Sequence, residues 1–201
     1  MAQESNTNSQ YLSIFQREVF DQCTFALMGF EDFSNSYQNH NNERFWYGIQ
    51  SFLVSTANVS KLLWNDSRIW QKENESDEDF AMRQKQHYEM LDRRKALRAS
   101  LSVSDNSSLR SKLMRHNFEH LDERIDEWIY SSKNHNLANR NIIYEGAIGG
   151  LDENDFLCTF NTTKNAITFK DEIYEIKPIV NELRNLQIFA KKEIEKLPWE
   201  K

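Results

Sequence analysis

The chain has 201 residues, of which 39% are hydrophobic and 12% aromatic, and its formal net charge is −6. That length suits a single domain, residues 1–201, with a sizeable core. The sequence contains only 5 Gly and 2 Pro, which argues against an all-β, turn-rich architecture and favours a mainly helical fold.

Two features of the sequence indicate a cytoplasmic protein. Cys23 and Cys158 are far apart and form no C-x-x-C pair, so neither a disulfide framework nor a thiolate metal site is expected. Residues 1–10 are polar, and no window approaches the ~20 apolar residues that a membrane span needs. We therefore expect a protein of the reducing cytoplasm that has no membrane partner.

Apolar residues at helical spacing predict three helices in the first half of the chain. They cover residues 10–35, 43–64 and 80–101, and an acidic linker over residues 73–79 precedes the third. The third helix carries few apolar residues among many charges, so we expect it to be mainly exposed.

A fourth helix is predicted over residues 107–132, with Ser107 or Ser108 as its N-cap. Its core stripe on a helical wheel consists of Met114, Phe118, Leu121, Ile125 and Trp128. Alternating apolar residues then predict a β-hairpin and a third short strand within about residues 155–176, followed by a final helix over 178–197. The expected fold is a bundle of about five helices with a small β insertion before the C-terminal helix.

Charge is unevenly distributed along the chain. Residues 1–82 carry a net charge of −7, residues 83–115 one of +6 and residues 116–201 one of −5. The middle segment, called the basic band below, contains Arg83, Lys85, Arg93, Arg94, Lys95, Arg98, Arg110, Lys112 and Arg115. Such a band can bind phosphates despite an acidic whole, although a solvated helix face is the alternative.

The basic band leads into residues 115–120, whose sequence RHNFEH concentrates groups that handle charge and protons. Arg115 keeps its positive charge, and the imidazoles of His116 and His120 titrate near neutral pH beside Glu119. These groups could stabilise a phosphate and move a proton. Alternatively, they are surface side chains that pair with neighbouring charges along the helix.

The predicted fourth helix also sets the directions of these side chains. His116 and His120 are four residues apart and therefore share a face, which also carries Leu109 and Leu113. A half-apolar face opposite the core stripe predicts contact with a second helix or subunit. Arg115 lies about 140° from His120 on an ideal wheel, so a site containing both would be completed across an interface.

A zinc site is a further alternative, because His116-x-x-Glu119-His120 matches the inverted zincin string H-x-x-E-H. In such sites two imidazoles bind the metal and the carboxylate is the general base. A third ligand is also needed, and the spacing of the acidic residues later in the chain singles out none of them.

The segment from Arg115 to His120 resembles the signature of HEPN domains. In that signature an arginine is followed by a polar residue and, after four intervening positions in all, by a histidine, and the motif lies on a late helix of a helical bundle. HEPN domains have about four or five helices and are frequently dimeric. Many are metal-independent endoribonucleases of toxin-antitoxin, abortive-infection and CRISPR systems, whereas others bind without cleaving. The string RHNFEHLDERI is also similar to uncharacterised bacterial proteins with this arrangement. The resemblance covers the first four predicted helices.

The resemblance implies a metal-independent endoribonuclease of toxin or phage-defence type that needs no cofactor. His120 would be the general acid or base, and Arg115 would bind the scissile phosphate. His116 would share the proton transfer, and Glu119 would orient a neighbouring group. Two copies in a homodimer would form one cleft. Its further phosphate ligands would be Arg93, Arg94, Arg110 and Lys112.

RNA is thus the expected partner, and the β insertion would be available to an antitoxin or another partner protein. A non-catalytic HEPN-like adaptor that binds nucleic acid or protein is the alternative function implied by the resemblance. Zinc-dependent hydrolysis through His116, Glu119 and His120 is the second alternative.

Overall fold

The computed structural model describes residues 2–64, 67–111, 117, 120–133, 135–144, 151–170 and 172–196. Over these ranges the fold is mainly α, with a small sheet before the last helix. The helices are α1 Ala2–Gln38, α2 Asn42–Leu63, α3 Asp77–Ser100, α4 Leu121–Ser131 and α5 Ile176–Ile194. The strands are β1 Asn141–Ile143, β2 Cys158–Asn161, β3 Ala166–Phe169 and β4 Glu172–Glu175. None of the described helices is long and apolar enough to cross a membrane.

Four of the predicted helices are confirmed as α1, α2, α3 and α5, although α1 begins earlier than predicted. The side chain of Asn41 caps α2 by accepting a hydrogen bond from the Arg44 N–H. Ser76 caps α3 in the same way through the Asp79 N–H. These caps satisfy backbone donors that have no partner within the helix. As expected, α3 is mainly exposed, with only His87 and Leu97 buried.

The antiparallel helices α1 and α2 touch backbone to backbone at two glycines. A Cβ atom on Gly29 would lie 2.6 Å from the Phe52 nitrogen and 2.9 Å from the Gly48 oxygen. A Cβ atom on Gly48 would lie 2.6 Å from the Phe33 nitrogen. Because backbone atoms cannot move aside as side chains do, neither position accepts a larger residue without separating the helices.

An aromatic cluster extends from this crossing to the sheet. The Phe33 ring lies 5.9 Å from both Phe45 and Phe52 in edge-to-face geometry. Phe160 of β2 joins the cluster, with its ring 5.3 Å from Phe45 and 6.0 Å from Tyr37. Edge-to-face pairs of this kind stabilise a core beyond their buried area, and here they attach the sheet to the end of the α1–α2 pair.

Within the described residues the sheet has four strands, in the order β1-β2-β3-β4. The predicted hairpin corresponds to β2 and β3, which pair antiparallel, and the predicted third strand corresponds to β4. The additional strand β1 pairs parallel with β2 and places Ile142 opposite Phe160. With three residues, β1 is too short to show an alternating pattern in the sequence.

The prediction of one continuous helix over residues 107–132 is wrong. Ser107 does cap a helical turn, but that turn is a short 3₁₀ helix, Ser108–Arg110, which ends at Ser111 with ψ of 122°. Asn117 is helical, whereas His120 has φ −120° and ψ 43° and stands directly before α4.

A tertiary contact explains the first break. The Glu182 carboxylate on α5 accepts hydrogen bonds from the Ser107 hydroxyl and, at 2.8 Å, from the Ser108 N–H. Leu109, in the same turn, is buried with 3% exposure. These contacts with α5, which is distant in the sequence, hold the turn in place. The spacing of apolar residues along the local sequence cannot predict such contacts.

The predicted core stripe of this segment is only partly correct. Trp128 is buried and Ile125 packs against the core, but Leu121 is 38% exposed. Met114 and Phe118 lie outside the described residues. Leu109, one of the two leucines of the predicted half-apolar face, is buried and packs within its own chain. Leu113, the other leucine, lies outside the described residues.

We predict that Gly29→Ala lowers the free energy of unfolding by about 1–3 kcal/mol, the cost typical of overpacking. This destabilisation would be opposed by the higher helix propensity of alanine, which favours alanine over glycine in a helix by up to about 1 kcal/mol. Urea unfolding checks this, with Gln50→Ala on the exposed side of α2 as the control, for which we expect a change within about 0.5 kcal/mol. A stabilised Gly29→Ala variant would contradict the close crossing.

Candidate functional site

Arg115, His116 and Glu119 lie outside the described residues, as does Lys112. Their roles stay predictions. His120 is described, and its side chain is 41% exposed.

His120 pairs with a carboxylate one turn further along the chain. Its Nδ1 lies 3.1 Å from Oε1 of Glu123. A carboxylate on Nδ1 favours the tautomer in which Nε2 is the basic nitrogen, an arrangement suited to a general base. Because the backbone leaves helical geometry at His120, the helical wheel no longer fixes its direction relative to Arg115 and His116.

The motif segment is attached to the sheet by a buried hydrogen bond. Asn117, only 6% exposed, donates its amide N–H to the Tyr174 hydroxyl on β4 at 3.0 Å. Burial raises the pKa of Tyr174, so its hydroxyl remains neutral. Nothing in the sequence distinguishes this buried asparagine from an exposed one, and our sequence reasoning missed it.

Helix α4, which follows His120, is attached to the same part of the fold. The Trp128 indole N–H donates to the Asp155 backbone oxygen at 3.0 Å. The Ser132 hydroxyl donates to the buried Asp155 carboxylate at 2.6 Å. Lys170, just after β3, forms an ion pair with Glu127 at 2.8 Å. The β insertion therefore supports α4 and the motif segment at Asn117.

A second candidate region is a groove between α3 and the connection that joins it to α2. Its volume is about 440 Å³. The lining residues are Ser67, Arg68, Ile69, Trp70, Gln84, His87, Tyr88, Leu91, Arg94, Lys95 and Arg98. We call this the α3 groove. Four of these described lining residues are Arg or Lys and none is acidic, although the whole chain is acidic.

The groove cations differ in how they are held. Arg98 donates to the Leu63 carbonyl at 2.6 Å and lies 3.7 Å from the Asp105 carboxylate, with its side chain 18% exposed. Lys95 is 69% exposed and pairs with Asp92 on its own helix turn. An exposed pair of this kind is weak. Lys95, with the exposed Arg68, is therefore the better placed to meet a ligand.

The loop that carries Trp70 is held by a bidentate ion pair. Arg83 contacts the two Glu75 carboxylate oxygens at 2.8 and 2.7 Å, and it also donates to the Trp70 carbonyl at 2.7 Å. Hydrogen bonding from Arg83 lowers the pKa of Glu75 to about 2. The Trp70 backbone is thus tied to α3 while the residue is 73% exposed.

The predicted phosphate ligands within the described residues have different surroundings. Arg94 lines the α3 groove. Arg93 instead places its guanidinium 4.3 Å from the centre of the Phe15 ring on α1, a cation–π contact. Arg110 is exposed in the 3₁₀ turn and donates to the Asp105 carbonyl at 3.1 Å. Sequence reasoning missed Arg68 and Trp70, because they precede the basic band.

Neither cysteine has the properties of a nucleophile. Cys23 and Cys158 are free thiols and both are buried. Burial raises the pKa of each to about 12, so both are protonated at neutral pH. In the part of the chain that the structure describes, no three His, Cys, Asp or Glu side chains form a metal-binding group.

We predict that Tyr174→Phe lowers the free energy of unfolding by about 1–3 kcal/mol, because it leaves the buried Asn117 amide without its acceptor. A double-mutant cycle with Asn117→Ala in urea unfolding should give a coupling of about 1 kcal/mol. Tyr130→Phe, at a residue 86% exposed, is the control and should change little. Purely additive effects of the two substitutions would contradict the anchoring contact.

Comparison of the chain with protein-family models, curated proteins and solved structures finds no match.

Proposed function

We propose that this protein binds RNA and that the α3 groove contacts the RNA phosphates. The observation that carries the proposal is the composition of the groove, in which four cations and no described acidic residue line one depression of an acidic protein. Such a local concentration of positive charge attracts a polyanion despite an unfavourable net charge.

Lys95 and Arg68 are the residues expected to meet phosphates, because both are exposed at the groove. Arg94 and Arg98 are partly buried and would add to the positive potential around them. When protein cations contact RNA phosphates they release the counterions condensed there, so the affinity falls with salt, with a slope proportional to the number of contacts.

The test is RNA binding by fluorescence anisotropy over a series of salt concentrations. Lys95→Glu should weaken binding and reduce the salt slope by about 0.7, the value for one contact to a single strand. Lys191→Glu is a matched control, because Lys191 is 65% exposed and also pairs with a carboxylate on its own helix, Glu195. Equal losses from the two variants, or no binding by the unaltered protein, would contradict the proposal.

RNA cleavage by the motif is the second candidate function. It is favoured by the His120–Glu123 pair, which holds one imidazole nitrogen against a carboxylate in a partly exposed position. In the HEPN-like arrangement Arg115 would bind the scissile phosphate, while His116 and Glu119 would assist. A second copy of the chain would complete the cleft in a homodimer. An antitoxin would then be the partner protein that restrains it.

We expect metal-independent cleavage of a pool of transfer and messenger RNA, measured by gel electrophoresis in excess chelator. His120→Asn should reduce the rate by at least about 100-fold, the usual contribution of a general acid or base. Arg115→Ala should reduce it by about 100- to 1000-fold, the usual loss when a group that stabilises transition-state charge is removed. His135→Asn is the control, because His135 is also exposed and outside a helix. Cleavage that appears only after zinc is added would support the zinc site of His116, Glu119 and His120 instead.

A further inference from the structure

We propose that the α3 groove selects single-stranded nucleic acid by stacking an unpaired base on Trp70. The inference rests on the proposed RNA binding and deepens it, because it concerns the form of nucleic acid that the same groove accepts. It is carried by the apolar and aromatic residues of the groove, which phosphate binding alone does not require.

The groove combines an apolar floor with exposed aromatic side chains. Ile69 and Leu91 are half-buried lining residues. Trp70 is 73% exposed and Tyr88 57% exposed. Exposed aromatic side chains beside cations form the stacking platforms that single-stranded nucleic acids use.

Trp70 is held in place before any ligand arrives. Its carbonyl oxygen accepts a hydrogen bond from Arg83 at 2.7 Å, and Arg83 is itself held by Glu75. The side chain of Gln71 adds hydrogen bonds to the Glu75 carbonyl at 3.1 Å and to the Asp77 carboxylate at 3.0 Å. A fixed backbone reduces the ordering cost of binding, which is the advantage of a preorganised site.

The geometry favours a single strand over a duplex for a physical reason. Bases in a duplex are stacked on each other, so an indole on the protein surface can reach only a base that has left the stack. One unpaired base on Trp70 would leave its flanking phosphates near the exposed cations Arg68 and Lys95. A duplex could use those cations but not the indole.

The experiment compares an unstructured RNA oligonucleotide with the same strand in a duplex, by anisotropy at one fixed salt concentration. We expect the single strand to bind more tightly. Trp70→Ala should weaken single-strand binding by about 5- to 150-fold, the range for loss of one stacked base, and should leave duplex binding unchanged. Tyr130→Ala is the control at an exposed aromatic residue outside the groove.

A second variant separates stacking from general disturbance of the groove. Arg83→Gln keeps the indole but removes the charge that ties its loop to α3, so it should weaken single-strand binding less than Trp70→Ala does. Trp70→Phe retains an aromatic face and should restore most of the affinity lost in Trp70→Ala.

The outcomes distinguish failure of base stacking from failure of RNA binding. The base-stacking proposal would be overturned if the protein bound single strand and duplex with equal affinity and Trp70→Ala did not change that affinity. If Lys95→Glu still weakened binding, the RNA-binding proposal would remain intact. No binding of either form would overturn both. A single-stranded DNA of the same sequence tests whether the ribose contributes to binding. Tight competition by a mononucleotide would show that the groove binds free nucleotides, and this result would overturn strand selection.

Discussion

The contact between Gly29 and Gly48 is the constraint on which the rest of the fold depends. Because the two backbones touch there, α1 and α2 are close enough for Phe33, Phe45 and Phe52 to pack edge to face. That cluster also receives Phe160 from β2. The position of the sheet, and of the segments attached to it, therefore depends on two residues that have no side chain.

The sheet has a larger role than its size indicates. It was expected to be an elaboration of a helical bundle, yet the buried side chains of Asn117, Trp128 and Ser132 all reach it or the loop that leads into it. Segments that carry chemistry must be held by rigid neighbours to keep their geometry. The motif segment obtains this support from β4 through Asn117, and α4 obtains it from the turn at Asp155.

The distribution of charge shows how an acidic chain can contain a groove lined by cations. Several cations of the basic band have structural roles, as in the Arg83–Glu75 pair, the stacking of Arg93 on Phe15 and the contact of Arg98 with a helix end. Lys95 is far more exposed, and its ion pair with Asp92 on the same helix turn is weak. Counting charges along the sequence does not separate cations with structural roles from exposed ones, because the partners of the structural cations come from other elements.

The sequence by itself determined the mainly helical class, four of the five helices and the hairpin with its third strand, since apolar periodicity and caps such as Ser76 are local signals. It also located the basic band. Only the tertiary structure decided that residues 107–132 are not one helix, because Glu182 of α5 holds the Ser107 turn. It likewise decided that Asn117 is buried against Tyr174 and that Arg68 and Trp70 join α3 in one groove. These outcomes depend on contacts between residues far apart in the chain, which no local pattern encodes.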